Sequence, residues 1–132
     1  MDDELKDQLM EEIFQRNKTK IKCYKSFSTV WLRDDYMETE FRYVILLNKI
    51  IVSRICFKNR RQGCMTRCFE ILKAFADRLN YDTIEIQSVE TYEMSEWCRK
   101  NKFVPAEYAI SIRDNFGHEF MTGDYDYKLQ KN

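Results

Sequence analysis

The sequence predicts an α/β fold, a mixed and mostly antiparallel sheet flanked by helices. Three observations predict it. First, residues 50–79 pass from a β-branched run (Ile50, Ile51, Val52, Ile55) to apolar residues at helical spacing (Cys68, Leu72, Phe75, Ala76, Leu79), with Gly63 where strand hands over to helix. Second, a strand-like run follows at 83–89, so strand, helix and strand occur in succession. That order needs a crossover, which makes the two strands parallel neighbours. Third, the run at 41–47 is joined to 50–57 by the two-residue turn Asn48-Lys49, the signature of an antiparallel hairpin.

Each element has its own reason. Residues 2–18 form an amphipathic helix with Leu5, Leu9 and Ile13, and the neighbouring Met10 and Phe14, as its apolar stripe. Asp2, Asp3 and Glu4 stand at its positive end and Arg16 and Lys18 near its negative end, as the dipole favours. Residues 21–27 and 28–33 are aromatic and β-branched, either one bent strand or two short ones. Residues 34–40 are a polar turn. The central helix spans 65–79, and in strand 83–89 Ile84, Ile86 and Ser88 face one way. Residues 90–101 form a second short helix with Met94, Trp97 and Cys98 on one face. A strand at 109–113, a loop or hairpin at 114–123 and an alternating last strand (Tyr125, Tyr127, Leu129) close the chain.

With 132 residues, the chain fits a single domain with a real core, and 44% hydrophobic content lets it fold without metal or disulfide. Lys plus Arg and Asp plus Glu are equal at 22, so no overall charge points to nucleic acid or to an anionic membrane. The five cysteines are odd in number and lack paired zinc spacing, although Cys64 and Cys68 could share a helix face. Thiols in a reducing cytoplasm are the simpler account, and neither a secretory signal nor a membrane-spanning run is read.

Gly63 is the only glycine before Gly117. Without a Cβ it can take positive φ, and the helix that follows offers unpaired amides and a positive dipole end, a site for an anion such as phosphate. Arg60-Arg61-Gln62-Gly63-Cys64-Met65 resembles the Arg/Gln-x-x-Gly-x-Gly/Ala turn of the GNAT superfamily of N-acetyltransferases, with Met65 where that family has Gly or Ala. The element order from about Phe41 onward is similar too. The resemblance implies an acyl-CoA N-acyltransferase-like fold that takes acetyl-CoA as co-substrate and needs no metal. It puts the pyrophosphate on the amides of Gln62, Gly63, Cys64, Met65 and Thr66, with Arg60 and Arg61 steering phosphates. It also puts the pantetheine arm on the splayed edge formed by Ile55, Cys56 and Phe57. Partners implied are acetyl-CoA and an amine acceptor, small molecule or protein, with a homodimer left open.

The acceptor attacks the thioester directly in such enzymes, a base takes the amine proton, and a donor protonates the thiolate. At the positions where the family carries Asn, Tyr and Gly, this sequence has Thr91, Cys98 and Lys102. Thr91 still donates and accepts hydrogen bonds. Cys98 is read as the thiolate's proton donor, because an unperturbed thiol of pKa ~8.5 is a close match for it; the competing reading is a small buried core residue. Glu85 and Glu90 are the candidate bases. His118 reads as an exposed loop residue. Two functions therefore stay open: an acetyl-CoA-dependent N-acetyltransferase, or a protein of that fold that has lost catalysis and binds a partner, for which a composition suited to an AT-rich phage genome gives one context. Nucleic-acid binding through the basic turn is weaker at zero net charge.

Overall fold

The computed structural model describes residues 2–17, 21–26, 29–34, 40–46, 48–56 and 63–129. The elements are α1 (Asp2–Asn17), β1 (Ile21–Lys25), β2 (Thr29–Asp34), β3 (Glu40–Leu46), β4 (Lys49–Cys56), α2 (Cys64–Arg78), β5 (Thr83–Val89), α3 (Tyr92–Lys100), β6 (Val104–Pro105), β7 (Ile110–Arg113) and β8 (Glu119–Lys128). The strands lie in the order β1-β2-β3-β4-β5-β8-β6, with β7 paired to β8. Every pairing is antiparallel except β4 with β5, the pair joined through α2.

Strand alternation sends Val30 and Leu32, Phe41 and Tyr43, Ile50 and Val52, Ile84 and Ile86, and Tyr125 to one face of the sheet. All are buried there in one core with Leu5, Leu9 and Ile13 of α1 and Cys68, Leu72, Phe75 and Ala76 of α2. Fully burying a Leu or Ile stabilises by ~1.5–3 kcal/mol, so the three buried aliphatics of α1 contribute much of its docking. The docking is antiparallel to α2: Arg78 reaches Glu4 at 3.0 Å and Arg67 reaches Glu12 at 3.6 Å. α3 joins the same core through Cys98 and through Trp97, which packs edge-on to Phe69. No helix among the described residues is long and apolar enough to cross a membrane.

Several boundaries differ from the sequence reading. Of the two readings left open for the first β region, the two-strand one holds, β1 and β2 being joined by the hydrogen bond from Ser26 N to Thr29 O at 2.9 Å. Asp34 and Glu40 belong to strands rather than to the turn between them, and residues 35–39 lie outside the described residues. Lys49 already pairs with Leu46, so the hairpin turns at Asn48, whose φ of 65° Asn tolerates. Phe14 is 50% exposed and does not extend the apolar stripe of α1. Ser88 does not face with Ile84 and Ile86, because its φ of 58° breaks the alternation. The last strand starts at Glu119 and continues through Gly123, whose φ of 118° is one that glycine adopts readily.

Candidate active site

The parallel ladder between β4 and β5 runs from Lys49/Thr83 to Val52/Ile86 and ends there, although both strands continue. Each strand is kinked where it parts from the other. On β4, Arg42 pairs with Arg54 and Tyr43 with Val52, which leaves Ser53 as a bulge. On β5 the kink is Ser88, and the register with β8 shifts between Ile86 and Val89. The Ser88 N–H donates to Asp124 Oδ1 at 3.0 Å, and Asp124 Oδ2 accepts from the Tyr108 hydroxyl at 2.6 Å. That hydrogen bond, above all, raises the Tyr108 pKa to about 12.

The splay opens a cleft of about 330 Å³. Ile55 and Cys56 form its β4 wall, and Gln87, Ser88 and Val89 its β5 wall. Met65 of α2 closes one end. Glu90, Thr91 and Glu93, together with Met94 and Trp97 of α3, form the rim. Of the expected site residues, Ile55, Cys56, Met65, Thr91 and Glu90 are thus brought together at one cleft.

The first turn of α2 abuts this cleft. Gly63 is its N-cap at φ 74° and supplies no capping side chain, and no acidic residue lies in the first turn. The positive end of the helix is therefore not offset by its own sequence, which fits a polyanionic ligand. Met65 is 9% exposed, belonging to the core cluster and at the same time lining the cleft. Cys64 and Cys68 are both buried, and a thiol–thiol hydrogen bond, with burial, pushes Cys68 well above the usual range. Thr66 accepts a hydrogen bond from Trp97 Nε1 at 3.0 Å. Phe57, Arg60, Arg61 and Gln62 lie outside the described residues.

Two expected catalytic residues stand elsewhere. Cys98 is fully buried beneath α3, and desolvation raises its pKa to about 12. A thiol holding its proton that tightly is a poor match for a departing thiolate, and the core reading fits the position. Glu85 does not line the cleft but stands beside it: it accepts from Nε2 of the wall residue Gln87 at 3.0 Å and pairs with Lys49 at 3.7 Å. Thr91 has a structural task besides its place at the rim: its Oγ1 caps α3 by accepting from Met94 N at 3.2 Å. His118 is half exposed, as expected of a loop residue, yet it stacks on Tyr92 with ring centroids 4.0 Å apart. Sequence reasoning missed Gln87, Ser88 and Glu93 as cleft residues. Ser88 joins the wall at a kink of positive φ, which no residue pattern announced.

No family model matches the chain, and no curated protein matches it. Solved structures do. The ribosomal-protein-S18-alanine N-acetyltransferase of Escherichia coli superposes with a TM-score of 0.55 at 10% identity, over 93% of this chain and 89% of that one. A probable acetyltransferase of the GNAT family from Chromobacterium violaceum gives 0.53 at 12% identity, over 92% and 80%. A probable acetyltransferase from Staphylococcus epidermidis gives 0.53 at 12%, over 77% and 67%. The fold is that of the GNAT acetyltransferases. The acetyltransferase fold covers nearly the whole chain, including the N-terminal part where a single helix, α1, precedes the first strands.

Proposed function

We propose that the chain is an N-acetyltransferase that moves an acetyl group from acetyl-CoA to an amine by direct attack in a ternary complex. The observation that carries this reading is the meeting of the β4–β5 splay with the uncapped N-terminus of α2. The amides from Gly63 to Thr66 would hold the pyrophosphate. The backbone of Ile55 and Cys56 along the splayed edge would align the pantetheine arm, so that the thioester lies between β4 and β5. Holding both reactants in line is the largest contribution such a site makes.

In the transfer, the amine nitrogen bonds to the thioester carbonyl carbon and the C–S bond breaks. Glu90, exposed at the rim, is the base placed to take the amine proton, directly or through one water. Glu85 does not line the cleft, is engaged with Lys49 and Gln87, and is the weaker candidate. The thiolate takes its proton from water in the open cleft, since Cys98 is buried and holds its own. That last point also favours a second reading: a protein of this fold that binds a partner without catalysis, for want of a dedicated proton donor.

Release of the CoA thiol in the presence of a panel of amines separates the two readings. Turnover that falls ~10²–10⁴-fold in Glu90→Gln supports the enzyme and its base. Acetyl-CoA binding with no turnover for any amine supports the binder.

A further inference from the structure

The sheet face opposite the helices carries a cluster that acetyl transfer, as described above, does not use. Arg42 of β3 and Arg54 of β4 are register partners, so two guanidinium groups stand across one strand pair. Like charges in that position repel. Arg42 lies over the Trp31 ring, 5.3 Å from its centroid, and its Nε is buried with no hydrogen-bond partner. Arg33, register partner of Glu40 on β2, adds a third cation to the same face. Among the described residues, Glu40 is the one carboxylate within this group, and a single oxygen of it serves two neighbours: Oε1 accepts from Trp31 Nε1 at 2.6 Å and lies 3.5 Å from Arg54 Nε. Among the described residues Glu40 engages Arg54 and Trp31 and makes no ion pair with Arg33 or Arg42, and planar guanidinium forks are suited to carboxylate and phosphate.

The position of the cluster gives it a use. Cys56 is two residues beyond Arg54 on the same sheet face, opposite Glu40, and forms the cleft wall. Two residues of strand span roughly 7 Å, so the arginine pair stands about one small molecule's length from the cleft. Across the cleft the charge reverses, with Glu90 and Glu93 at the rim. We infer that the acceptor is a small amine that also carries an anionic group, a carboxylate or a phosphate. Arg42 and Arg54 hold the anion on this face while the amine enters the cleft toward Glu90. The amine half of this inference rests on the acetyl-transfer reading above, and the anion half does not.

Two measurements test it separately. The first uses no acetyl donor: calorimetric titration with N-acetylglycine, with the phosphate ester of N-acetylethanolamine, and with neutral N-acetylglycinamide. One of the two anions binds the parent, the neutral compound does not, and Arg54→Gln weakens the anion at least tenfold. Arg54 is 64% exposed, so this variant keeps its fold. The second compares turnover, per free amine, of glycine with glycinamide and of phosphoethanolamine with ethanolamine. The anionic member of one pair is favoured at least tenfold in kcat/KM, and that preference falls toward unity in Arg54→Gln. A preference in the first pair identifies amino acids, and one in the second identifies phosphoamines. No anion binding, or a preference unchanged in Arg54→Gln, overturns the inference and leaves acetyl transfer standing. Anion binding with no turnover of any amine keeps the anion site and overturns the acetyl-transfer reading instead.

Discussion

Trp97 Nε1 donates to Thr66 Oγ1 at 3.0 Å, a bond that ties α3 to the first turn of α2 at one end of the cleft. The indole also packs on Phe69 and Phe103, so its apolar body and its polar tip do separate jobs. Trp97→Phe keeps most of the packing and loses the bond. It should cost about 1 kcal/mol in urea denaturation. Thr66→Val should cost a similar amount, and the double variant less than the sum, because both remove the same bond.

Gly63 sits at φ 74°, and a Cβ built on it would meet nothing within 4 Å. Gly63→Ala therefore pays left-handed strain and no clash, about 1 kcal/mol by thermal or chemical denaturation. If pyrophosphate lies on this turn, the added methyl intrudes on its place, and acetyl-CoA affinity should fall at least tenfold. A variant with the stability loss but unchanged affinity would move the phosphates elsewhere.

The sequence revealed the parts of this molecule that repeat a period. The β4–α2–β5 unit was legible because β-branched and helical spacings meet at one glycine, and residues 83–89 were bounded as observed for the same reason. The cleft was only half legible. Ile55, Cys56, Met65, Glu90 and Thr91 follow from the resemblance of the turn and the element order to the GNAT pattern, but the place of Ser88 in the cleft wall goes with a positive φ at a serine, which no composition rule favours. Cys98 shows a different gap. Its place on the apolar face of α3 already allows the buried-core reading, but how far burial raises its pKa depends on packing that the sequence pattern does not give.

Cys98 makes an alkaline prediction. Its folded-state pKa is pushed up to about 12, above a thiol's ordinary value, because burial disfavours the thiolate. The stability this provides is complete below the unfolded pKa and is lost as pH rises toward the folded one. Urea denaturation at pH about 8 and about 10.5 should show a larger alkaline loss in the parent than in Cys98→Ala. Turnover of that variant should stay close to the parent's. Thiol labelling at mild pH should modify exposed Cys56 first and spare Cys98.

Asp124 fixes the β5 kink by accepting from Ser88 N and from Tyr108 at once. Asp124→Ala leaves the Ser88 amide and the Tyr108 hydroxyl without their acceptor, at sites open to water. The expected stability loss is about 1–2 kcal/mol. Because the kink shapes the cleft wall, KM for the acyl donor should rise, while Tyr108→Phe should repeat only part of both effects.

The central claim, that this cleft takes acetyl-CoA along the N-terminus of α2, is tested most directly by calorimetric titration of acetyl-CoA into the parent and into Met65→Gly. Because Met65 is largely buried with the core cluster, the account predicts one-to-one binding to the parent. It also predicts an affinity in Met65→Gly close to the parent's once the variant's lower stability is allowed for. Heat denaturation of the parent with ligand at a hundredfold excess over its dissociation constant should show a gain of ~2.7 kcal/mol. Absence of binding to the parent would contradict the account. Binding that appears only in Met65→Gly would mean that the methionine closes the site and that the fold has been kept for a different task.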